Sequence, residues 1–329
     1  MTFRCVFLRL SLAVMLSVTG CSTTSGIFAL LTDNMGHPEP PPAATAKVFS
    51  PDTRLSALWV GHATVLLQMD DRMVITDPFL TDHVSMLKMR QVAPGVVVDS
   101  IPRLDLILIS HSHSDHCNLG SLRTLERRFP DAHLVFPEGV EEFLPRFTFP
   151  MDRLRKSAQD SMSVIGDTRT IAGMAVTTVR SYHWGGRYGL DGVLWDNGGY
   201  TGFIIQYQGL TVYFAGDTGY DPQTFARIGQ LFKIDLACIP IGPATIPDSI
   251  GSPVHVYPLG ALKIFDDLHA RFMLPIHYGT TADPWDENSP GEVLQAILRD
   301  RPDMRSRVLV PQIGEQVVVT GDDGEMAKK

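Results

Sequence analysis

The sequence predicts an α/β domain built as a four-layer αββα sandwich, and three observations lead there. From about Ser56 to Val319, short branched apolar runs of the kind that form buried strands alternate with stretches of helical length and with Gly and Asp turns. Several runs stop at a residue able to bind a metal ion: "LILIS" before His111, "VTTVRSY" before His183, "VYFAG" before Asp217 and "FMLPI" before His277. This pattern fills two successive halves, the first with "HSHSDH" and the second with Asp217 and His277, so that rigid strands deliver ligands to one rim at the edge between two sheets.

Ahead of the domain, "MTFRCVFLRLSLAVMLSVTGC" carries Arg4 and Arg9, no acid through Gly20, and a nine-residue apolar segment. It reads as a secretory signal, too short to span a bilayer. "VTGC" resembles a bacterial lipobox, which implies that residues 1–20 are removed and that Cys21 becomes a lipidated N-terminus. Ser22 after it resembles an outer-membrane sorting signal, so the expected location is the cell envelope, facing the periplasm. An acyl anchor would hold the protein to a membrane without making it integral. Residues 21–54, with the Pro-rich and Ala-rich "HPEPPPAATA", read as a tether, and residues 55–329 as the domain.

Within the domain the expected strands are "ALWVGHATVLLQ", "RMVITD", "LDLILIS", "HLVFP", "MAVTTVRSYH", "TGFIIQYQGLTVYFAGD", "IDLACIPI", "FMLPIHYG" and "RVLVPQIGEQVVV". The expected helices are "LGSLRTLERRF", "DPQTFARIGQLF", "YPLGALKIFDDLH" and "PGEVLQAILRD". The chain is 44% apolar and 19% charged, enough for one large domain or two, with a formal charge of −8 that grows more negative once Arg4 and Arg9 are cleaved away. That charge disfavours a general nucleic-acid binder. Cys238, inside "DLACIPI", reads as a buried thiol; Cys117 reads as core packing rather than a ligand.

The chemistry concentrates in "HSHSDH", His111 to His116. Imidazole nitrogen and carboxylate oxygen suit zinc, and also manganese or iron. Four ligands on one tight loop crowd a single tetrahedral ion. Two ions about 3.5–4 Å apart, sharing a carboxylate and a water, relieve the crowding and make that water a nucleophile at neutral pH. Other readings exist for single residues: His183 as a half-exposed strand histidine, Asp217 as a turn residue or helix cap. Joint occurrence with the loop favours the metal reading.

"HSHSDH" matches the HxHxDH motif of the metallo-β-lactamase superfamily, and "WVGHATVLLQ", "ITDPF", "HWGGR", "FAGDTGYD", "DLACIPIGP", "HVYP" and "PIHYGT" resemble its branch of N-acyl-phosphatidylethanolamine-hydrolysing phospholipase D and ascorbate-6-phosphate lactonases. The resemblance implies that His111, His113 and His183 bind one metal, that Asp115, His116 and His277 bind a second, and that Asp217 bridges them. Asp115 would also orient substrate or take a proton. Asp77 would support the metal loop by hydrogen bonding, and His62 is similarly placed, although a packed strand-bend histidine is an equal reading. Arg187 and His255 occupy motifs on the substrate side, with a plain surface cation the alternative for Arg187. His83–Val98 is either a lid over an acyl chain and phosphate or a packed loop.

Two divalent ions, zinc first among the candidates, and a small-molecule or lipid substrate follow from this resemblance. The leading expectation is a phosphodiesterase of the phospholipase type at the envelope. A lactonase or other ester hydrolase is the alternative, since the same centre attacks carbonyl carbon; a non-catalytic metal-binding envelope protein is a third. β-Lactamase activity is disfavoured because Asp217 stands where those enzymes have cysteine or no bridge. "HVYPLGA" lacks the acidic pair of the phospholipases, so their lipid-chain specificity does not carry over.

Overall fold

The computed structural model describes residues 37–85, 88–157, 163–187, 198–242, 248–281 and 289–319. The proposed signal, Cys5 and Cys21 lie outside them. Among the described residues no helix is long and apolar enough to cross a membrane.

The first sheet has seven strands: β1 (Leu55–Gly61), β2 (Thr64–Met69), β3 (Arg72–Thr76), β6 (Leu106–Leu108), β7 (His133–Pro137), β8 (Met151–Leu154) and β15 (Gln316–Val318), in the order β15-β1-β2-β3-β6-β7-β8. The second has six: β9 (Ile165–Ile171), β10 (Met174–Val179), β11 (Gly202–Tyr207), β12 (Leu210–Phe214), β13 (Leu236–Pro240) and β14 (Phe272–Ile276), in the order β14-β13-β12-β11-β10-β9. β4 (His83–Ser85) and β5 (Lys88–Met89) form a separate ribbon. In each sheet, hairpin strands give way to parallel ones: β3, β6, β7 and β8 run parallel, as do β12, β13 and β14.

Alternation along the strands explains the layers. On β1, Leu55, Ala57 and Trp59 face the middle of the molecule, where they join Leu67, Leu106 and Leu108 of the same sheet and Met174, Phe203, Val212, Phe214 and Leu274 of the other. Leu58 and Val60 face the opposite way, toward Leu122 and Leu125 of α1 (Leu119–Arg128). Behind the second sheet, Ile204, Tyr213 and Ile239 pack on α2 (Pro222–Leu231), α3 (Pro258–Asp267) and α4 (Pro290–Arg299) through Phe225, Ile228, Ile264, Phe265 and Leu294. The three apolar layers separate four layers of structure, as the αββα expectation requires. A fifth helix, α5 (Pro302–Arg305), is a single turn.

All four expected helices form. Asn118 caps α1 by accepting from Ser121 N, and Asp221 caps α2 by accepting from Thr224 N. Both cysteines are buried thiols, Cys238 in the central layer and Cys117 beneath α1, and burial pushes the Cys117 thiol up to about 11.

One expectation changes. The tether was drawn to residue 54, yet from His37 onward the chain lies along the domain: Glu39 pairs with Val92, Ala43 N donates to Ile313 O, Thr45 Oγ1 donates to Gly314 O, and Val48 is buried. The domain therefore begins near residue 37, because the extended strap finds backbone partners in the loops around Val92 and Gly314. Of the two readings of His83–Val98, the packed loop accounts for Arg90, to which the ribbon leads and which is fully buried against protein carbonyls.

Leu67 is completely buried in the central layer. Leu67→Ala is expected to destabilise the domain by about 2–5 kcal/mol through lost burial and a residual cavity. Urea unfolding should show a lower midpoint with an unchanged slope; an unchanged midpoint would mean that the two sheets are not packed through this residue.

Candidate metal centre

Every candidate ligand follows the C-terminal end of a strand or its loop. β6 leads to His111, β10 to His183, β12 to Asp217 and β14 to His277, while β1 and β3 lead to His62 and Asp77. Three of these residues, His62 (φ 53°), Asp77 (φ 33°) and His277 (φ 64°), hold left-handed backbone that non-glycine residues rarely adopt. Such conformations cost about 1–3 kcal/mol each and cluster where function needs a side chain turned out of its strand.

The side chains converge into two overlapping groups. His111 Nε2 lies 2.9 Å from His113 Nδ1, and His183 Nε2 lies 3.1 Å from the same atom, so three nitrogens meet at one point. Asp115, His116, His277 and His62 form the second group. The His116 and His277 rings stack with centroids 5.2 Å apart, and their ligand atoms lie within reach of one ion. Between the groups sits Asp217: its Oδ2 is 3.4 Å from His116 Nε2, 3.2 Å from His277 Nε2 and 3.9 Å from His183 Nε2. One oxygen thus faces members of both groups.

Hydrogen bonds around the rim decide which ring nitrogen points inward. Asp77, completely buried, accepts from Ser110 N (2.7 Å), from the Ser110 hydroxyl and from His116 Nδ1 (2.7 Å), leaving His116 Nε2 toward Asp217. The Ser110 oxygen, its proton given to Asp77, accepts from His111 Nδ1 at 2.9 Å. His183 Nδ1 donates to Val254 O at 3.1 Å. Gly216 (φ 59°) brings the Asp217 loop against Ser110, where a β-carbon would collide with the serine side chain. Thr218 Oγ1 accepts from Tyr182 N, and Val256 N donates to Thr218 O, tying the loops of Asp217, His183 and His255 together.

Electrostatics suit cations. Burial, reinforced by the neighbouring histidines, keeps His111 well below the ordinary histidine value; burial takes His183 to about 3. Both are neutral lone-pair donors at neutral pH. Burial opposes charging Asp217, but His277 and His116 overrule it and hold that carboxyl well below the usual range. Burial likewise opposes protonating His116, yet Asp217 and Asp77 raise its pKa well above the ordinary value. His116 Nε2 and Asp217 Oδ1 are buried with no hydrogen-bond partner. Orphaned atoms of this kind, in a set of five imidazoles and two carboxylates, fit a pair of divalent metals.

The remaining candidates lie at the margin. His62 Nε2 is 3.2 Å from Asp115 Oδ2, and burial followed by the charge of His277 lowers His62 to about 3. His255 Nδ1, buried without a partner, is 3.6 Å from Asp217 Oδ2. Arg187, expected on the substrate side, donates from Nη1 to Ser112 O (3.2 Å) and Cys117 O (3.0 Å), bracing both ends of the histidine loop. Sequence reading missed Ser110 and Trp184. Trp184 stacks on His183 with centroids 4.8 Å apart. Their signal was adjacency alone, one residue before His111 and one after His183.

The model of the beta-lactamase superfamily domain matches residues 72–278, well over half of the chain. The chain belongs to this superfamily. The N-acyl-phosphatidylethanolamine-hydrolyzing phospholipase D 1 of Caenorhabditis elegans is 27% identical over 282 residues, covering 81% of this chain and 76% of its own. A UPF0173 metal-dependent hydrolase of Sulfurisphaera tokodaii is 27% identical over 229 residues, covering 69% of this chain and 84% of its own. Among solved structures, Igni18, a metallo hydrolase of Ignicoccus hospitalis, superposes with a TM-score of 0.59 at 21% identity, over 82% of this chain and 99% of that one; it supports the fold.

Because the Asp77 carboxylate orients one histidine of each group, Asp77→Asn should weaken metal binding by about 10- to 100-fold while the protein stays folded. Competition with a chromophoric chelator measures this; affinities matching the parent would show that Ser110 and His116 keep their orientation without the charge.

Proposed function

We propose that this metal-dependent hydrolase is a two-metal phosphodiesterase acting on a lipid or phosphoester substrate at the cell envelope. The observation that carries the proposal is the placement of Asp217 Oδ2 within 3.2–3.9 Å of histidines from both groups. Held by His111, His113 and His183 on one side and by Asp115, His116 and His277 on the other, the metals would supply an activated water nucleophile and Lewis-acid polarisation of the scissile group.

The protein's own groups do the rest. Asp217 offsets the repulsion between two cations. Asp115, hydrogen-bonded to His62 and partly open to solvent, is suited to take or return a proton as the leaving group departs. His255, at the mouth beside Trp184, is lowered to about 4 by burial and so meets the substrate as a neutral ring near pH 7. Arg187 assists by holding the loop. The phosphodiester preference rests on likeness to the phospholipase relatives. The envelope location and a lipidated Cys21 rest on the lipobox-like "VTGC".

Asp217→Asn should preserve the fold, weaken metal binding and remove most turnover, since a neutral amide bridges two cations poorly. Metal analysis should be paired with assays on an N-acylated phospholipid and on a lactone. Full turnover with two bound metals in the variant would reject the bridging role, and lactone cleavage alone would replace the phosphodiesterase assignment.

Cys21→Ser should release the protein from membranes or leave its precursor unprocessed. Fractionation and mass measurement of the N-terminus provide the check. An unmodified Cys21 in detergent-free, soluble parent protein would remove the anchor.

A further inference from the structure

Among the described residues Arg90 is the largest fully buried side chain, and its hydrogen-bond partners are carbonyls rather than a carboxylate. Burial lowers its pKa to about 10, against the pull of Asp82, so it remains a cation at neutral pH. Isolating a cation among apolar side chains is unfavourable unless every donor is used. Here the guanidinium donates to Val60 O, Phe79 O and Val92 O.

Those carbonyls mark where the strand ends of the candidate site come together. Val60 lies two residues before His62, and Phe79 two residues after Asp77. The guanidinium carbon sits 4.8 Å from the Phe79 ring centroid, and that ring meets His62 edge-on at 6.1 Å. Gly61 (φ 113°) passes so close that a β-carbon there would collide with Arg90 Nη2. The backbone of Arg90 pairs with Thr281, while Gln91 N donates to Thr280 O, His62 N donates to Thr280 Oγ1, and His277 N donates to His62 O. The planar fork therefore joins the segments that carry His62 and Asp77, while the backbone of Arg90 and Gln91 ties in the segment that follows His277. From them, His62 reaches Asp115 and Asp77 reaches His116.

We propose that Arg90 is a positioning residue for the second metal group: it fixes the loops of His62 and Asp77, and through them Asp115, His116 and His277, without touching metal or substrate. The proposal rests on the two-metal reading. A planar fork reaches the three separate carbonyls from three different nitrogens in fixed directions, which the one nitrogen of a lysine ammonium cannot reproduce. Mere fold stabilisation would lower the unfolding midpoint and leave the metal affinities of the folded protein unchanged.

The test is metal titration of the full chain, stripped with chelator and refilled with zinc against a chromophoric competitor, for the parent, Arg90→Lys and Arg90→Met. The parent should take two ions. In Arg90→Lys the second should bind about 10- to 100-fold more weakly, the range for lost outer-shell partners, and the first, reached only through Asp77, Ser110 and His111, should weaken by a smaller factor; Arg90→Met should lose at least as much. A folded variant that binds both ions as the parent does, or weakens both equally, overturns the positioning role. Failure of Arg90→Met to fold leaves Arg90→Lys to decide, and failure of both overturns the role in favour of a scaffold residue. A parent that binds fewer than two ions instead defeats the two-metal reading.

Discussion

The buried carboxylate of Asp77 is the interaction on which the arrangement of this centre depends. A carboxylate with no exposure to water is tolerable only when its oxygens are satisfied, and the backbone of Ser110, the hydroxyl of Ser110 and the ring of His116 satisfy them. Each bond also performs a second task. The one to His116 turns that ring toward Asp217. The one to the hydroxyl leaves an acceptor for His111, so a single acid sets one ring in each ligand group. The amide bond holds the start of the histidine loop at the level of the neighbouring strand.

Among the described residues, most of the strands and the four long helices were legible because their residues answer to simple constraints. Strands buried on both faces need branched apolar runs, as "LWVG" and "LILI" show, and helix starts need caps such as Asn118 and Asp221. The candidate ligands were legible for a different reason: few side chains can bind a cation, and three histidines and an aspartate at strand ends beside the HSHSDH loop are hard to explain otherwise. β8 and β9 escaped notice because they are edge strands, and sequences such as "MDRL" and "IGDTRTI" bury little and read as loops. Arg90, Ser110 and the packed role of Arg187 were illegible because their partners are mainly backbone atoms or a single distant acid. A sequence written in side chains does not reveal those partners. The strap from His37 likewise has no hydrophobic period, and a few backbone bonds order it.

Charge is distributed in two tiers. Close to the candidate metals, burial and mutual repulsion keep His111 and His183 neutral, while Asp217 stays ionised and His116 is drawn toward its charged form between two acids. One layer out, two cations, Arg90 and Arg187, carry their charge to carbonyl oxygens at loop ends. The outer tier stiffens the loops without placing an ammonium or guanidinium where it would compete with a metal. An acidic protein can thereby use arginine beside a cation site without spoiling it.

The left-handed backbone at His62, Asp77 and His277 sets stability against activity. Glycine would accept each of these conformations without strain, so the sequences easiest to fold at these positions are those with no side chain to offer. Selection for thermal robustness alone would drift toward an inert sandwich with relaxed strand ends. With two imidazoles and a carboxylate there instead, the chain holds donor groups at the rim against its own backbone preference.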